Sequence, residues 1–296
     1  MLSLPNDRSF SLTRYAPTPS GFLHIGNILS FAITAHLADR YNAKVLLRID
    51  DRDRERMELR YVQDIFDTLN FLDLPWQVGP QDIAQYEAEW SQVHRMPVYN
   101  ALLQTLRQKG LVFGCTCSRA DVWRQSPDGI YPGTCRHRNI PLDAPDVTWR
   151  LRTDDRLISV NTLTDSLVTE ALPGDMKDFI VRKRDGMPAY QLTSVGDDVH
   201  FGVDLIVRGA DLWHSTLAQV FLAQVAGYHS FAEATFHHHL LIEDGVGGKM
   251  SKSAGATSIQ YMRAQGWSAA DIWRELARLL GKDANVTTRQ QLPPFI

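Results

Sequence analysis

The sequence is poor in the features that mark membranes, secretion and general nucleic-acid binding. It has only three cysteines, Cys115, Cys117 and Cys135. They are too few and too clustered for the disulfide framework of a small secreted domain, and the clustering favours a metal site in a reducing compartment. No run approaches roughly 18 uninterrupted apolar residues, so a membrane-spanning helix is not expected. The opening stretch MLSLPNDRSFSLTRYAPTPSG lacks the basic start and apolar run of a signal peptide, and a cytoplasmic location is expected. There is no internal repeat and no low-complexity segment. Surplus positive charge is missing too: Lys and Arg total 31 against 34 Asp and Glu, a formal net charge of −3. The overall field therefore does not attract RNA, and any such contact must come from local basic surface. The candidates are Arg52, Arg54, Arg56 and Arg60, then Arg136 and Arg138, then Arg182, Lys183 and Arg184.

At 296 residues the chain can bury a large core, in one large domain or two modest ones. Thr13 to Pro17 reads as a short strand running into the turn Thr18-Pro19-Ser20-Gly21. Ile25, Ile28, Leu29, Ala32, Ile33 and Leu37 then recur at helical spacing, and Val45 to Asp50 is an apolar strand ending in acid. Strand, turn, helix and strand make a βαβ unit, so the expected fold class is α/β with a Rossmann-like parallel sheet. Ligands of such sheets bind beyond the carboxyl ends of the strands. Residues 62–110 read as mostly helical, with Trp76, Trp90 and Tyr99 as packing aromatics. The segment 111–178, with its cysteines, prolines and short β-like runs, looks like an insertion between two halves of a nucleotide-binding domain. The halves are 1–110 and 179–258. Phe179 to Val181, Tyr190 to Val195 and His239 to Ile242 are expected to be strands, and 259–296 a helical tail.

Two strings carry the chemistry. His24-Ile25-Gly26-Asn27 sits where a helix begins, and a helix N-terminus offers free N–H groups and a positive dipole end to phosphate. Gly26 allows a nucleotide base to approach the backbone. Far downstream, Lys249-Met250-Ser251-Lys252-Ser253 follows the glycine-rich loop Gly245-Val246-Gly247-Gly248. Lysine is a flexible point charge suited to β- and γ-phosphates, and two lysines three apart can flank one polyphosphate. A closing loop also shields a hydrolysable intermediate from water.

These strings resemble the HIGH and KMSKS motifs of class I aminoacyl-tRNA synthetases. Arg14-Tyr15-Ala16-Pro17-Thr18-Pro19-Ser20-Gly21-Phe22-Leu23-His24 resembles more narrowly the opening of glutamyl-tRNA synthetases and their shortened glutamyl-Q tRNA(Asp) relatives. Ala189-Tyr190-Gln191 and Ile206-Val207-Arg208-Gly209-Ala210-Asp211-Leu212 match further strings of that group. The resemblance covers roughly residues 12–262. It implies a ligase that forms glutamyl-adenylate from ATP, accompanied by Mg²⁺. His24, Lys249 and Lys252 would be catalytic, with Gly26, Asn27, Met250 and Ser251 also on ATP. Arg14, Tyr15, Ala16, Pro17, Thr18, Asp50, Tyr190 and Arg208 would hold glutamate. An arginine at 208 suits the side-chain carboxylate of glutamate, whereas glutaminyl enzymes carry a small uncharged residue there. One departure stands in Arg48-Ile49-Asp50-Asp51, where the group's RIED string has glutamate at the place of Asp50.

The resemblance extends to Cys115-Thr116-Cys117, Tyr131 and Cys135, which match a zinc site of the form CxC…Y…C. Three thiolates and a fourth ligand imply a structural zinc ion; Tyr131 is preferred over His137 as the fourth. His237-His238-His239 is read as packing and ATP-side contacts rather than as metal ligands. With the sequence running to Ile296, an anticodon-binding region of the usual kind is not expected. On this resemblance the acceptor is queuosine in the anticodon stem-loop of tRNA(Asp), bound by a monomer. The alternatives are a truncated glutamyl-tRNA synthetase, a glutamate ligase for another acceptor, and a non-catalytic RNA-binding paralogue.

Overall fold

A computed structural model describes residues 8–52, 57–164, 167–242, 258–282 and 285–292. Along the chain run β1 (Leu12–Tyr15), α1 (Ile25–Tyr41), β2 (Lys44–Leu47), α2 (Leu59–Phe71), the short α3 (Ile83–Gln85) and α4 (Met96–Gln108). Next come β3 (Val112–Cys115), α5 (Arg119–Gln125), β4 (Thr148–Leu151), β5 (Leu157–Thr162), β6 (Leu167–Ala171) and β7 (Ile180–Arg182). The remainder is α6 (Tyr190–Phe201), β8 (Leu205–Gly209), α7 (Trp213–Ala226), α8 (His229–Ala232), β9 (Thr235–His239), α9 (Ile259–Ala264) and α10 (Ala269–Leu279). The chain divides into two compact units. One takes in Met1–His94, Val203–Asp211 and Phe236–Ile296, the other Arg95–Gly202 and Leu212–Thr235.

In the first unit, β1 and β2 pair in parallel from Leu12↔Lys44 to Tyr15↔Leu47, with α1 as the crossover. The apolar spacing that marked the helix is its buried face: Ile25, Ile28, Leu29, Ala32, Ile33 and Leu37 are all in the core. Asn42 stops α1 in the left-handed region at φ 55°, which asparagine tolerates better than most residues. β8 runs beside β1, where Asp204 Oδ2 and Oδ1 accept the backbone N–H groups of Ser11 and Leu12 at 2.7 and 3.0 Å. β9 neighbours β8. Gly79, at φ 114°, closes the far side of β2. A Cβ there would lie 2.5 Å from the Leu47 carbonyl oxygen, so only glycine fits.

The second unit is built differently. β3, β4 and β7 form an antiparallel sheet, irregular at Trp149 and Arg150, and β5 and β6 form an antiparallel hairpin. The expected parallel sheet is thus seen in β1 and β2, and the molecule as a whole has mixed sheets with helices. Among α4 and α6, Asp197 is fully buried. Its Oδ1 accepts from Arg95 Nε and from the Tyr99 hydroxyl, each at 2.6 Å. The guanidinium of Arg95 also lies 5.2 Å from the Phe201 ring centroid.

Two strand expectations are corrected. Tyr190 to Val195 is the start of helix α6, not a strand. Gln191 to Asp198 are all buried, so no amphipathic stripe showed, and the β-branched Thr193 and Val195 mimicked strand composition. Among the described residues, the last strand before the lysine-rich string is Thr235–His239 rather than His239 to Ile242.

Candidate active site and thiol cluster

His24 is the N-cap of α1. Its Nδ1 accepts the Gly26 N–H at 3.2 Å, and its own N–H donates to Asn27 Oδ1 at 3.0 Å. A Cβ on Gly26 would sit 3.1 Å from both Cε1 and Nδ1 of the His24 ring. Glycine at 26 therefore makes room for the imidazole as well as for any ligand. The loop is pinned just ahead of the cap. Leu23 N–H donates to Asp64 Oδ2 on α2 at 2.9 Å, and Leu23 O accepts Ile259 N–H at 2.8 Å. His24 and Ser258 form an antiparallel bridge. The residues that follow 243–257 are thus joined to the His24 segment. Lys249, Met250, Ser251 and Lys252 themselves lie outside the described residues.

Strand alternation decides which β1 side chains can share a site. Arg14 is 5% exposed and donates from Nη1 to Val207 O at 3.1 Å. Tyr15 points to the opposite face and packs against Phe31 of α1, ring centroids 5.0 Å apart. Its side chain is core, and what it offers β2 is its carbonyl, which accepts Arg48 N–H at 2.9 Å. Pro17 O accepts Asp50 N–H at 2.9 Å, which ties the turn to the end of β2; Ala16 is half-buried and Thr18 exposed. Arg208 on β8 is 4% exposed, its guanidinium 5.5 Å from the Phe236 ring centroid. His238 stacks on the other partner of that contact, 6.2 Å from the Phe236 ring and 14° off parallel. Burial, then the charges of Arg208 and of the neighbouring His237, His239 and Arg14, push the His238 imidazole down to about 3. Arg14, Arg208 and a neutral His238 are therefore gathered in one electrostatic neighbourhood. His239 faces α1 instead, its Nε2 2.7 Å from Ser30 Oγ and its Nδ1 2.8 Å from Leu240 O.

The two aspartates after β2 part company. Asp50 is gripped by Arg48 through both oxygens, at 2.7 and 3.0 Å. Asp51 is fully buried and accepts from Tyr86 Oη, Ser91 Oγ and Gln92 N at 2.6, 2.5 and 2.8 Å. Asp51 and Asp64 were not singled out from the sequence. A carboxylate beside an apolar strand hinted at the first, and no sequence signal marked the second. Tyr190 belongs to the second unit, at the first position of α6, with its side chain exposed.

Also in the second unit, the Sγ atoms of Cys115, Cys117 and Cys135 all lie within 4.8 Å of one another. Cys117 and Cys135 are 3.6 Å apart. Thiolates about 2.3 Å from a tetrahedral ion would be roughly 3.8 Å apart. Tyr131 Oη is 3.5 Å from Cys115 Sγ and accepts Cys135 N–H at 2.8 Å, so its phenol lies beside the thiols. Burial works to raise the Cys135 thiol, but the Thr116 backbone N–H and the neighbouring thiols outweigh it and bring it down to about 7. Burial raises Cys117 and Tyr131, with the adjacent thiols adding to it. A cation would reverse those two shifts. Three gathered sulfurs with a phenolic oxygen beside them are a donor set that fits zinc.

The chain matches the description "tRNA synthetases class I (E and Q), catalytic domain" over residues 12–128 and 147–290. It is 32% identical to a glutamyl-Q tRNA(Asp) synthetase of Rhodobacter capsulatus, over 89% of this chain and 98% of the relative. It is 33% identical to a glutamate–tRNA ligase of Nitrosococcus oceani, over 90% of this chain and 58% of the relative. A glutamate-tRNA synthetase structure from Elizabethkingia anophelis shares the fold. Its TM-score is 0.75 at 19% identity, covering 95% of this chain and 67% of that one. The chain belongs to the class I tRNA synthetases of the glutamyl and glutaminyl group. It is a class I ligase.

Proposed function

We propose that this enzyme activates L-glutamate with ATP and transfers it to queuosine in the anticodon loop of tRNA(Asp). The observation that carries the amino-acid half is the pairing of Arg14 and Arg208, two buried guanidiniums that both act on His238. Two such charges, with Arg14 bonded to Val207 O beside Arg208, suit a ligand with two carboxylates and penalise a neutral amide. The α-carboxylate of glutamate would meet Arg14, and the side-chain carboxylate Arg208. The α-carboxylate then attacks the α-phosphorus of ATP, and the bond to the leaving pyrophosphate breaks. The His24 imidazole and the first N–H groups of α1 bind phosphate oxygens, assisted by Lys249 and Lys252. Gly26, Asn27, Met250 and Ser251 complete the nucleotide contacts, and Mg²⁺ enters with ATP. Asp50 orients Arg48 and faces the substrate ammonium.

The acceptor is supported by the names of several relatives at 30–34% identity over about 90% of the chain. Zinc would be held by Cys115, Cys117, Cys135 and Tyr131 and would brace the insertion at 111–178 between the halves 1–110 and 179–258, ahead of a helical segment from 259. The enzyme would work as a monomer in the cytoplasm. Among the described residues, no helix is long and apolar enough to cross a membrane. A second reading, glutamylation of a tRNA 3′ end, is favoured by the Nitrosococcus relative. The deciding experiment is transfer of labelled glutamate to tRNA(Asp) with and without queuosine. Labelling of the modified tRNA alone is expected; equal labelling of both would favour the second reading.

A further inference from the structure

The second unit carries an aromatic side chain that its core does not use. Trp123, on the outer side of α5, is 59% exposed. Its ring is nevertheless held in place. Gly129, at φ 75°, lies flat against the indole, and a Cβ there would come within 3.1 Å of Cζ2. A large ring that is both exposed and fixed is a ready stacking surface, because little conformational freedom is lost when a partner lies on it.

Beside this ring is a cavity of about 190 Å³, walled by Trp123, Arg119, Arg150, Lys177, Asp175 and Phe179. Its charged walls are three cations and one carboxylate. Asp175 Oδ2 is engaged by His214 Nδ1 at 3.0 Å, and Lys177 Nζ reaches Asp155 Oδ1 at 2.7 Å. Arg150 is 8% exposed, stacks 3.7 Å over the Tyr131 ring centroid, and donates from Nη1 to Asp178 O at 2.9 Å. Its buried Nε has no hydrogen-bond partner, and no carboxylate is paired with the guanidinium among the described residues. Arg150 lines the cavity, and a buried guanidinium without a carboxylate is costly unless an anion comes near it. Arg119 adds an exposed guanidinium at the start of the same helix.

We propose that the Trp123 ring and the Arg119–Arg150 cavity together bind one unpaired nucleotide of an RNA loop, base on the indole and phosphate in the cavity. Stacking on an aromatic ring beside a cationic channel is how unpaired strands are held without a sequence code. Within a paired stem each base face is covered by its neighbours, and acidic side chains carry no planar ring to lay on Trp123. This proposal rests on the reading that the substrate is a tRNA loop, and identifies a landing point for that loop.

The test measures binding of the tRNA(Asp) anticodon stem-loop, and of the same stem as a bare duplex, by fluorescence anisotropy. Wild type is compared with Trp123→Ala, Trp123→Phe and Arg119→Glu. Arg150 is left intact because it lies on Tyr131 of the thiol cluster. Trp123→Ala should weaken stem-loop binding about tenfold, and Trp123→Phe should keep most of it. Arg119→Glu should weaken it severalfold and flatten its salt dependence. Glutamate-dependent ATP–pyrophosphate exchange should be unchanged throughout. Unchanged stem-loop affinity in both Trp123→Ala and Arg119→Glu, or an equal loss on the bare duplex, overturns the proposal. If wild type binds the stem-loop through Trp123 yet transfers no glutamate to tRNA(Asp), the landing surface stands and the acceptor reading falls.

Discussion

Arg48 holds Asp50 by both carboxylate oxygens, Nε to Oδ1 at 2.7 Å and Nη2 to Oδ2 at 3.0 Å. The aspartate that departs from the family's glutamate is therefore already fixed in direction. A planar fork does this and an ammonium cannot. Arg48→Lys should raise KM for glutamate roughly tenfold or more, with a smaller change in kcat, in keeping with about 1.5–3 kcal/mol for hydrogen bonds to a charged group. Steady-state pyrophosphate exchange at varied glutamate checks it, and an unchanged KM would remove Asp50 from the pocket.

Gly26→Ala tests the cap. Its methyl would press on Cε1 and Nδ1 of His24, each 3.1 Å from the new atom. Alanine favours a helix in general, so the fold should survive, with unaltered far-UV circular dichroism. Exchange activity should fall about tenfold through misplacement of the imidazole. Wild-type activity in this variant would show that His24 needs no such room.

The buried carboxylate of Asp197 joins Arg95 and Tyr99 in the second unit. Asp197→Ala would leave Arg95 charged and Tyr99 without its acceptor. The expected loss is about 3–5 kcal/mol. Urea denaturation should show it as a lower midpoint at an unchanged slope.

The depressed His238 value predicts an acid-sensitive stability. Unfolded histidine takes up a proton near its ordinary pKa of about 6.5. In the folded chain it stays neutral down to about 3. Its contribution is therefore complete above pH 6.5 and is lost as pH falls from there toward 3, by up to about 1.4 kcal/mol per unit. Between pH 7 and 5, wild type should lose about 1–2 kcal/mol more than His238→Gln, read from paired denaturation curves. Equal losses in the two proteins would count against the assignment.

Metal analysis addresses the thiol cluster. Purified protein should carry about one zinc per chain, and Cys117→Ser should lower that occupancy. Tyr131→Phe should weaken retention against a chelator while leaving three thiolates in place. Equal retention in Tyr131→Phe and wild type would assign the fourth position elsewhere.

What could be read in the sequence follows a physical divide. The βαβ start was legible because the turn Thr18 to Gly21 separates a short strand from a long apolar helix, although α1 is buried on nearly every face. The gathering of Cys115, Cys117, Tyr131 and Cys135 was legible because these residues are close in sequence. Helix α6 was not, since Gln191 to Asp198 are buried together and leave no polar face to betray the period. Alternation along β1 gives Arg14 and Tyr15 opposite faces, which a motif written as one string conceals. The roles of Asp51 and Asp64 depend on partners 35 to 41 residues away. The low His238 value depends on which strands neighbour each other, and no spacing encodes that.

The cap on α1 has one more consequence. A backbone N–H is an unconditional donor, so Nδ1 of His24, which receives Gly26 N–H, must carry a lone pair. The ring's single proton then resides on Nε2. The chain entry into a helix thereby favours the tautomer whose donor is Nε2–H. Protonating this histidine would add nothing at Nε2 and would break the cap at Nδ1. The entry of the helix and the orientation of its catalytic candidate are thus one hydrogen bond.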